Sequence, residues 1–197
     1  PSFKEGWEEY IAVSDNAVSL LATTQKVYTL VIPKNITHNS KPYAVNLIGD
    51  YAFENAPADI EEVVVTPNVK YVGAKAFVAK SNKLKKVFFI EGQPSKGMLS
   101  TTRFELDETG NNYNEFSPDA KIYVKKSAYD EYKEKWTKTI YNPLTHKMDP
   151  SQFNFTSQID YRITDYKIKH KYATFAREFD VDFSDCALNN GARVAAF

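Results

Sequence analysis

The segment IGDYAF, Ile48 to Phe53, returns as VGAKAF, Val72 to Phe77, and the same 24-residue step carries IEEVVV from Ile60 onto LKKVFF from Leu84. Two matches in one register make this an internal repeat. A unit of this length is too short to bury its apolar face alone, so such units stack on one another as a solenoid. Upstream, LVIPKNI, Leu30 to Ile36, matches VVVTPNV, Val63 to Val69, but Pro33 and Pro67 stand 34 residues apart, which places an insertion around THNSKPYAVN in the first unit. Downstream, VFFIEG opens another unit that loses the pattern within QPSKGMLSTTRFELDETGNNYNEF, a stretch whose polar, Gly- and Asn-containing composition reads as a long loop.

Within a unit each residue type has a physical reason. Val63 and Val65 alternate with Val64 as in a strand, and Pro67, with no N–H to donate, ends it. Gly49 and Gly73 fall where a tight turn needs a residue without Cβ. Ala52 and Ala76 are small where passes approach closely, and Phe53 and Phe77 are large enough to fill the space between them. The expected inward set is Ile60, Val63, Val65, Val69, Val72, Phe77, Leu84, Val87 and Phe89. Facing outward between them are Glu61, Glu62, Lys70, Lys75, Lys80, Lys83, Lys85 and Lys86.

The 197 residues are 43% hydrophobic and 25% charged, ordinary for a globular chain long enough to hold a substantial core. Basic and acidic residues balance at 25 each, and no basic run marks a nucleic-acid footprint or a membrane patch. PSFKEGWEEY at the N-terminus contains no apolar run of signal-peptide or membrane-span length, which fits a cytosolic chain or a mature one whose export signal was removed. Cys186 stands alone, so the chain has no intrachain disulfide, and the redox compartment stays open.

The run LVIPKNITHNSKPYAVNLIGDYAF, followed by VVVTPNVKYVGAKAF and KLKKVFF, resembles the BspA-type leucine-rich repeat family of bacterial, chiefly Bacteroidetes, surface proteins. Its units carry a strand ending in isoleucine-proline, an IG..AF segment and a leucine opening the next strand. Pro33, Ile48, Gly49, Ala52, Phe53, Pro67, Gly73, Ala76, Phe77 and Leu84 occupy those positions here, and Ala56 stands where the family carries a cysteine. The resemblance covers residues 27–140. It implies a non-enzymatic, secreted or surface-displayed interaction module that adheres to host or neighbouring-cell macromolecules.

Both ends of the repeat read as caps. WEEYIAVSDNAVSLLATTQKVYTLVIP gives short strands with Ser14-Asp15-Asn16 as a turn. In KIYVKKSAYDEYKEKW, Ile122 and Val124 alternate as a strand, Ser127 with Asp130 is a capping-box-like helix start, and Tyr129, Tyr132 and Trp136 share one helical face. That helix covers the open end of the stack. Pro143 and Pro150 bracket a polar connection, after which Ile159, Tyr161 and Ile163, Tyr166 and Ile168, and Phe179, Val181 and Phe183 alternate as antiparallel strands. The expected architecture is thus mainly β with one short helix: a leucine-rich-repeat-like solenoid with end caps over 1–140, a linker over 141–152, and a small antiparallel β domain or partial domain over 153–197. The last segment either packs on the solenoid or belongs to a module that continues past Phe197.

Chemical motifs are few. His38, His146 and His170 lack zinc-ligand spacing. Cys186 with His170 and Asp185 would make a thiol triad only if something lowered its pKa, and DCALNNG offers no such group. Asp180, Asp182 and Asp185 begin like a calcium loop, but a Gly is missing at its sixth position and Gly191 stands where a Glu is needed. Glu8, Glu9 and Asp15 have no opposed carboxylate at glycosidase separation. The expectation is therefore no catalytic residue, no cofactor and no metal. Three function classes remain: a surface interaction module that binds an extracellular protein through its mixed-charge ridge, with Lys83, Lys85 and Lys86 as candidate partner-binding residues; a glycan-binding accessory module using its Tyr and Phe residues; and an enzyme, for which no constellation is present.

Overall fold

A computed structural model describes residues 1–89, 103–104, 115–136, 140–142, 147–149 and 157–163 of the chain. Two sheets and one short helix dominate them. Trp136, His146, His170, Cys186, the aspartates at 180, 182 and 185, and the strand alternation after Ile163 lie outside the residues whose side chains are described.

The N-terminal part is a curled sheet. Strands β1 (Phe3–Glu5), β2 (Glu8–Ala12) and β3 (Ala17–Thr23) run antiparallel in succession. The expected Ser-Asp-Asn turn joins β2 to β3, closed by the Val13 amide donating to the Ala17 carbonyl at 2.9 Å. After β4 (Thr29–Val31), the expected insertion forms a hairpin of β5 (Asn35–His38) and β6 (Lys41–Ile48). Its two-residue loop, Asn39 and Ser40, has φ of 50° and 63°, the double left-handed turn that matches the twist of paired strands. β6 also pairs with β3, in parallel, and β5 curls round to lie against β1. There the Phe3 ring stacks on His38 at 3.9 Å and the Glu5 carboxylate meets the same imidazole at 2.5 Å.

From β4 onward successive passes of the chain run parallel. β4 pairs with β7 (Glu62–Val65), β7 with β9 (Lys86–Phe89), and β9 with β11 (Lys121–Val124). On the other side β6 pairs with β8 (Tyr71–Val72), and β8 with β10 (Arg103–Phe104). The register places Val63 opposite Val87 and Leu47 opposite Tyr71, the 24-residue step read in the sequence. Between the ladders the turns are bonded too: the Tyr51 amide donates to Ala74, Phe53 to Ala76, Phe77 to Glu115 and Lys80 to Glu54. Thr66 and Asn68, just past β7, hold the preceding pass through the carbonyls of Ile32 and Lys34. All nine residues expected to face inward are buried. Phe53, Phe77 and Phe116 form a file of rings, with centroids 5.4 and 5.3 Å apart, between the two sheets.

Gly49 and Gly73 have no left-handed backbone, so the turn argument for them is replaced by a packing one. A Cβ on Gly73 would lie 2.5 Å from the Asp50 nitrogen and 2.7 Å from the Gly49 carbonyl carbon, so one pass rests directly on the backbone of the other. The left-handed positions in these turns are Tyr51 (φ 57°) and Lys75 (φ 51°), the same place in each unit.

At the far end a 3-10 turn at Lys126–Ala128 precedes α1 (Tyr129–Trp136), so Ser127 lies inside that turn, ahead of the helix it was expected to cap. Tyr132 is buried, and Tyr129 meets Tyr161 edge-on at 5.0 Å. β12 (Ile140–Asn142) and β13 (Lys147–Asp149) pair antiparallel, starting one residue before the stretch 141–152 read as a linker. β14 (Ile159–Asp160) pairs in parallel with β11 and forms the edge of the second sheet.

Candidate interaction surface

Repeat geometry decides where each charged side chain goes, because residues one unit apart are neighbours across a ladder. Glu61-Glu62 leads into β7 as Lys85-Lys86 leads into β9, with Glu62 and Lys86 the first residues of their strands, so acids of one pass sit beside bases of the next. Glu62, expected outward, is fully buried. It accepts a hydrogen bond from the Thr29 hydroxyl on β4, while Lys86 Nζ stands 3.8 Å from its other oxygen and 6.0 Å from the Tyr28 ring centroid. The Lys86 side chain is 24% exposed. Three adjacent strands thus carry a polar row, Thr29–Glu62–Lys86, on the face of the sheet opposite the hydrophobic interior.

Lys85 points the other way along the stack. Its ammonium donates to both oxygens of Asp119, at 2.7 and 2.8 Å, and to Asn82 Oδ1 at 2.9 Å. That bond holds the Asp119 carboxyl below the usual carboxylate range. Lys83 is exposed in the bend between the two units, its amide bonded to the Ser81 hydroxyl. The three lysines therefore do not form one cluster. Lys86 is half-buried beside Glu62, Lys85 bridges to the following pass, and Lys83 projects from the turn.

The remaining outward residues form a mixed-charge surface. Lys80 lies 3.9 Å from Glu54 at the surface, Lys75 reaches over the Tyr51 ring, and Lys70 is exposed beside Tyr71. Exposed large side chains include Trp7 in the β1–β2 turn, Tyr51 and Tyr71. The sequence reading missed Asp119, Asn82 and Thr29 as partners of this surface. The opposite charges one 24-residue step apart, Glu61 with Lys85 and Glu62 with Lys86, were the available signal.

Of the acids considered for chemistry, Glu8 is buried on β2, where it accepts from the Thr23 hydroxyl at 2.8 Å and burial pushes its carboxyl up. Glu9 is half-buried and Asp15 is exposed in the turn. Among the described residues no group of three or more His, Cys, Asp or Glu side chains could hold a metal ion, and no helix is long and apolar enough to cross a membrane.

No protein-family profile matches the chain, and no curated protein sequence matches it. Its structure is similar to that of a leucine rich cell surface protein from Faecalibacterium prausnitzii A2-165, at 17% identity and a TM-score of 0.36, over 63% of this chain and 32% of that one. A leucine-rich repeat protein from Bacteroides capillosus is similar at 16% identity and a TM-score of 0.36, over 62% of this chain and 97% of that one. A third, from Bacteroides ovatus, shows 14% identity and a TM-score of 0.33, over 64% of this chain and 32% of that one. The chain thus spans about a third of the first and third of these proteins. At this distance the likeness is descriptive, and the mainly β architecture rests on the ladders and buried residues above.

Proposed function

We propose that the chain is a leucine-rich-repeat-like solenoid of the BspA type that serves as a non-enzymatic interaction module at the cell surface, binding an extracellular protein through its outward residues. The observation that carries this reading is the parallel pairing of successive passes. It commits one set of side chains to the interior and leaves a long, rigid exterior of alternating charges, a form suited to binding over an extended area. Complementary charges on such a surface act mainly on association rate and lose influence as salt rises.

The test is a binding screen of the purified chain against extracellular-matrix proteins and glycans, followed by charge reversal of any hit. Lys83→Glu is the informative variant, since Lys86 is tied to a buried carboxylate and Lys85 to Asp119. Slowed association at unchanged melting temperature supports the lysine-bearing face. Unaltered kinetics with every partner found moves the recognition surface elsewhere.

A second reading, a glycan-binding module, is favoured by the exposed rings of Tyr51 and Tyr71 beside Lys70 and Lys75. Tyr51→Ala and Tyr71→Ala should then abolish retention on a glycan array while Lys83→Glu leaves it intact.

A further inference from the structure

The third repeat breaks the alanine-phenylalanine pattern with a carboxylate. The Phe53 amide bonds to the Ala76 carbonyl and the Phe77 amide to the Glu115 carbonyl, at 2.9 and 2.8 Å, so Glu115 stands where Ala52 and Ala76 stand in the units before it. The neighbouring ring agrees with this register, because Phe116 bridges in parallel to Phe77 and stacks on it with planes 9° apart. Ala52 and Ala76 are buried because passes approach closely at this place. Glu115 is equally buried, at 0% exposure, and neither of its carboxyl oxygens has a hydrogen-bond partner.

An ionised carboxylate in such a place costs far more than a neutral one, since no cation replaces its lost water and its own backbone amide, the one donor acting on it, offsets only part of the burial. The charged group acting on it is another acid, Asp50, which raises it further. Asp50 itself accepts from the Ala74 amide, and the lysines of the preceding unit are engaged elsewhere: Lys75 lies over Tyr51, Lys80 faces Glu54 and Lys85 faces Asp119.

We propose that Glu115 is a proton-operated latch, its neutral carboxyl allowing the Glu115–Phe116 segment to seat on Phe77, so that acid tightens the third repeat and base releases it. Burial first, then Asp50, pushes the carboxyl up to about 10 from an ordinary 4.5. A group neutral when folded and ionised when unfolded takes up a proton on folding. Its contribution is therefore complete below the unfolded value of 4.5 and is lost as pH rises toward 10. Within that window each pH unit should divide the seated-to-released ratio by up to roughly tenfold.

The Phe77 amide reports on the latch, because its acceptor is the Glu115 carbonyl. Hydrogen exchange on the full chain, corrected for the intrinsic pH dependence of exchange, should show protection at Phe77 falling between pH 6 and 9. In Glu115→Ala, which restores the residue of the other units, and in Glu115→Gln, which keeps the size, protection should be flat with pH. Glu8→Gln removes the other acid raised by burial and should leave the fall in place. Where a variant at 115 does not fold, infrared spectroscopy of the Glu8→Gln chain at pH 7 decides, because it removes the other acid raised by burial. A protonated carboxyl band with the exchange behaviour of a buried acid supports the latch. A wild-type profile flat with pH, a slope that survives in both Glu115 variants, or a spectrum without a protonated carboxyl at pH 7 would overturn it.

Discussion

Phe53 and Phe77 stack with ring centroids 5.4 Å apart and planes at 24°, one repeat step apart in the chain. Phe77 also stacks on Phe116 and meets Phe89 edge-on at 6.4 Å, so it is the central ring of the file. Truncating a buried phenylalanine typically costs about 3–5 kcal/mol through lost burial and the cavity left behind. Phe77→Ala should fall at the upper end and Phe53→Ala below it, measured by urea unfolding. The double variant should cost about 0.5–1.5 kcal/mol less than the sum of the singles, the coupling expected of an aromatic pair. Additivity, or a Phe53 effect equal to that of Phe77, would contradict the stacked file.

Gly73 should be the less replaceable of the two repeat glycines. Its missing Cβ is the space taken by the Asp50 backbone and carboxylate, and the backbone cannot yield as a flexible side chain would. At Gly49 the nearest neighbour to an added Cβ is the Leu20 carbonyl oxygen at 3.1 Å, which a shift of a few tenths of an ångström relieves. Overpacking at a rigid contact costs about 1–3 kcal/mol or more. Gly73→Ala should therefore lower the melting temperature clearly, and Gly49→Ala by less. It should also weaken protection of the Ala74 amide, which donates to Asp50 Oδ1.

The neighbouring lysines should separate into one structural and one surface residue. Lys86→Glu sets a second carboxylate beside buried Glu62, and disrupting such a pair, discounted for the partial exposure of Lys86, should cost roughly 2–3 kcal/mol. Lys83→Glu changes an exposed side chain and should stay within about 0.5 kcal/mol of wild type. Replacing Glu62 and Lys86 together by Leu and Met should recover most of the Lys86→Glu loss, because apolar residues often substitute for a buried pair without cost. Equal melting temperatures for Lys86→Glu and Lys83→Glu would show that the Glu62–Lys86 contact carries no weight.

Much of this arrangement was legible in the sequence where local pattern and stacking agree. The 24-residue step located the ladders, and alternation within VVV and VFF identified the inward residues. Three things were hidden, each for a physical reason. Strand β3 pairs in parallel with β6, a long-range partner choice that neither strand's own residues mark. Glu62 reads as a surface acid in any local window and is buried only because both faces of β7 are covered; Val64 and Phe88 on that outer side are fully buried as well. The third unit kept only Phe116 of its motif, since the longer chain before it broke the spacing and Glu115 replaced the alanine that would have marked it. The bond from Phe77 to Glu115 recovers a register that residue matching alone could not.

Tyr51 and Lys75 hold the left-handed conformation at one repeat position, where a side chain with Cβ costs roughly 1–2 kcal/mol relative to a residue that tolerates it. Asparagine adopts that conformation more readily through its short polar side chain, and it avoids the unfolded-state entropy that glycine adds. By sequence, Asn114 precedes Glu115 as Lys75 precedes Ala76. Lys75→Asn should stabilise the chain by about 0.5–1 kcal/mol, the gain being reduced by loss of the contact between the ammonium and the Tyr51 ring. Lys75→Val, β-branched, should destabilise it by at least about 1 kcal/mol. Strained positions that display exposed or half-exposed side chains are also where binding residues tend to reside. The same Lys75→Asn variant, stable and folded, therefore tests the outer surface. If it loses affinity for a partner while gaining stability, the strain serves recognition; if it gains stability with affinity unchanged, Lys75 has no part in binding.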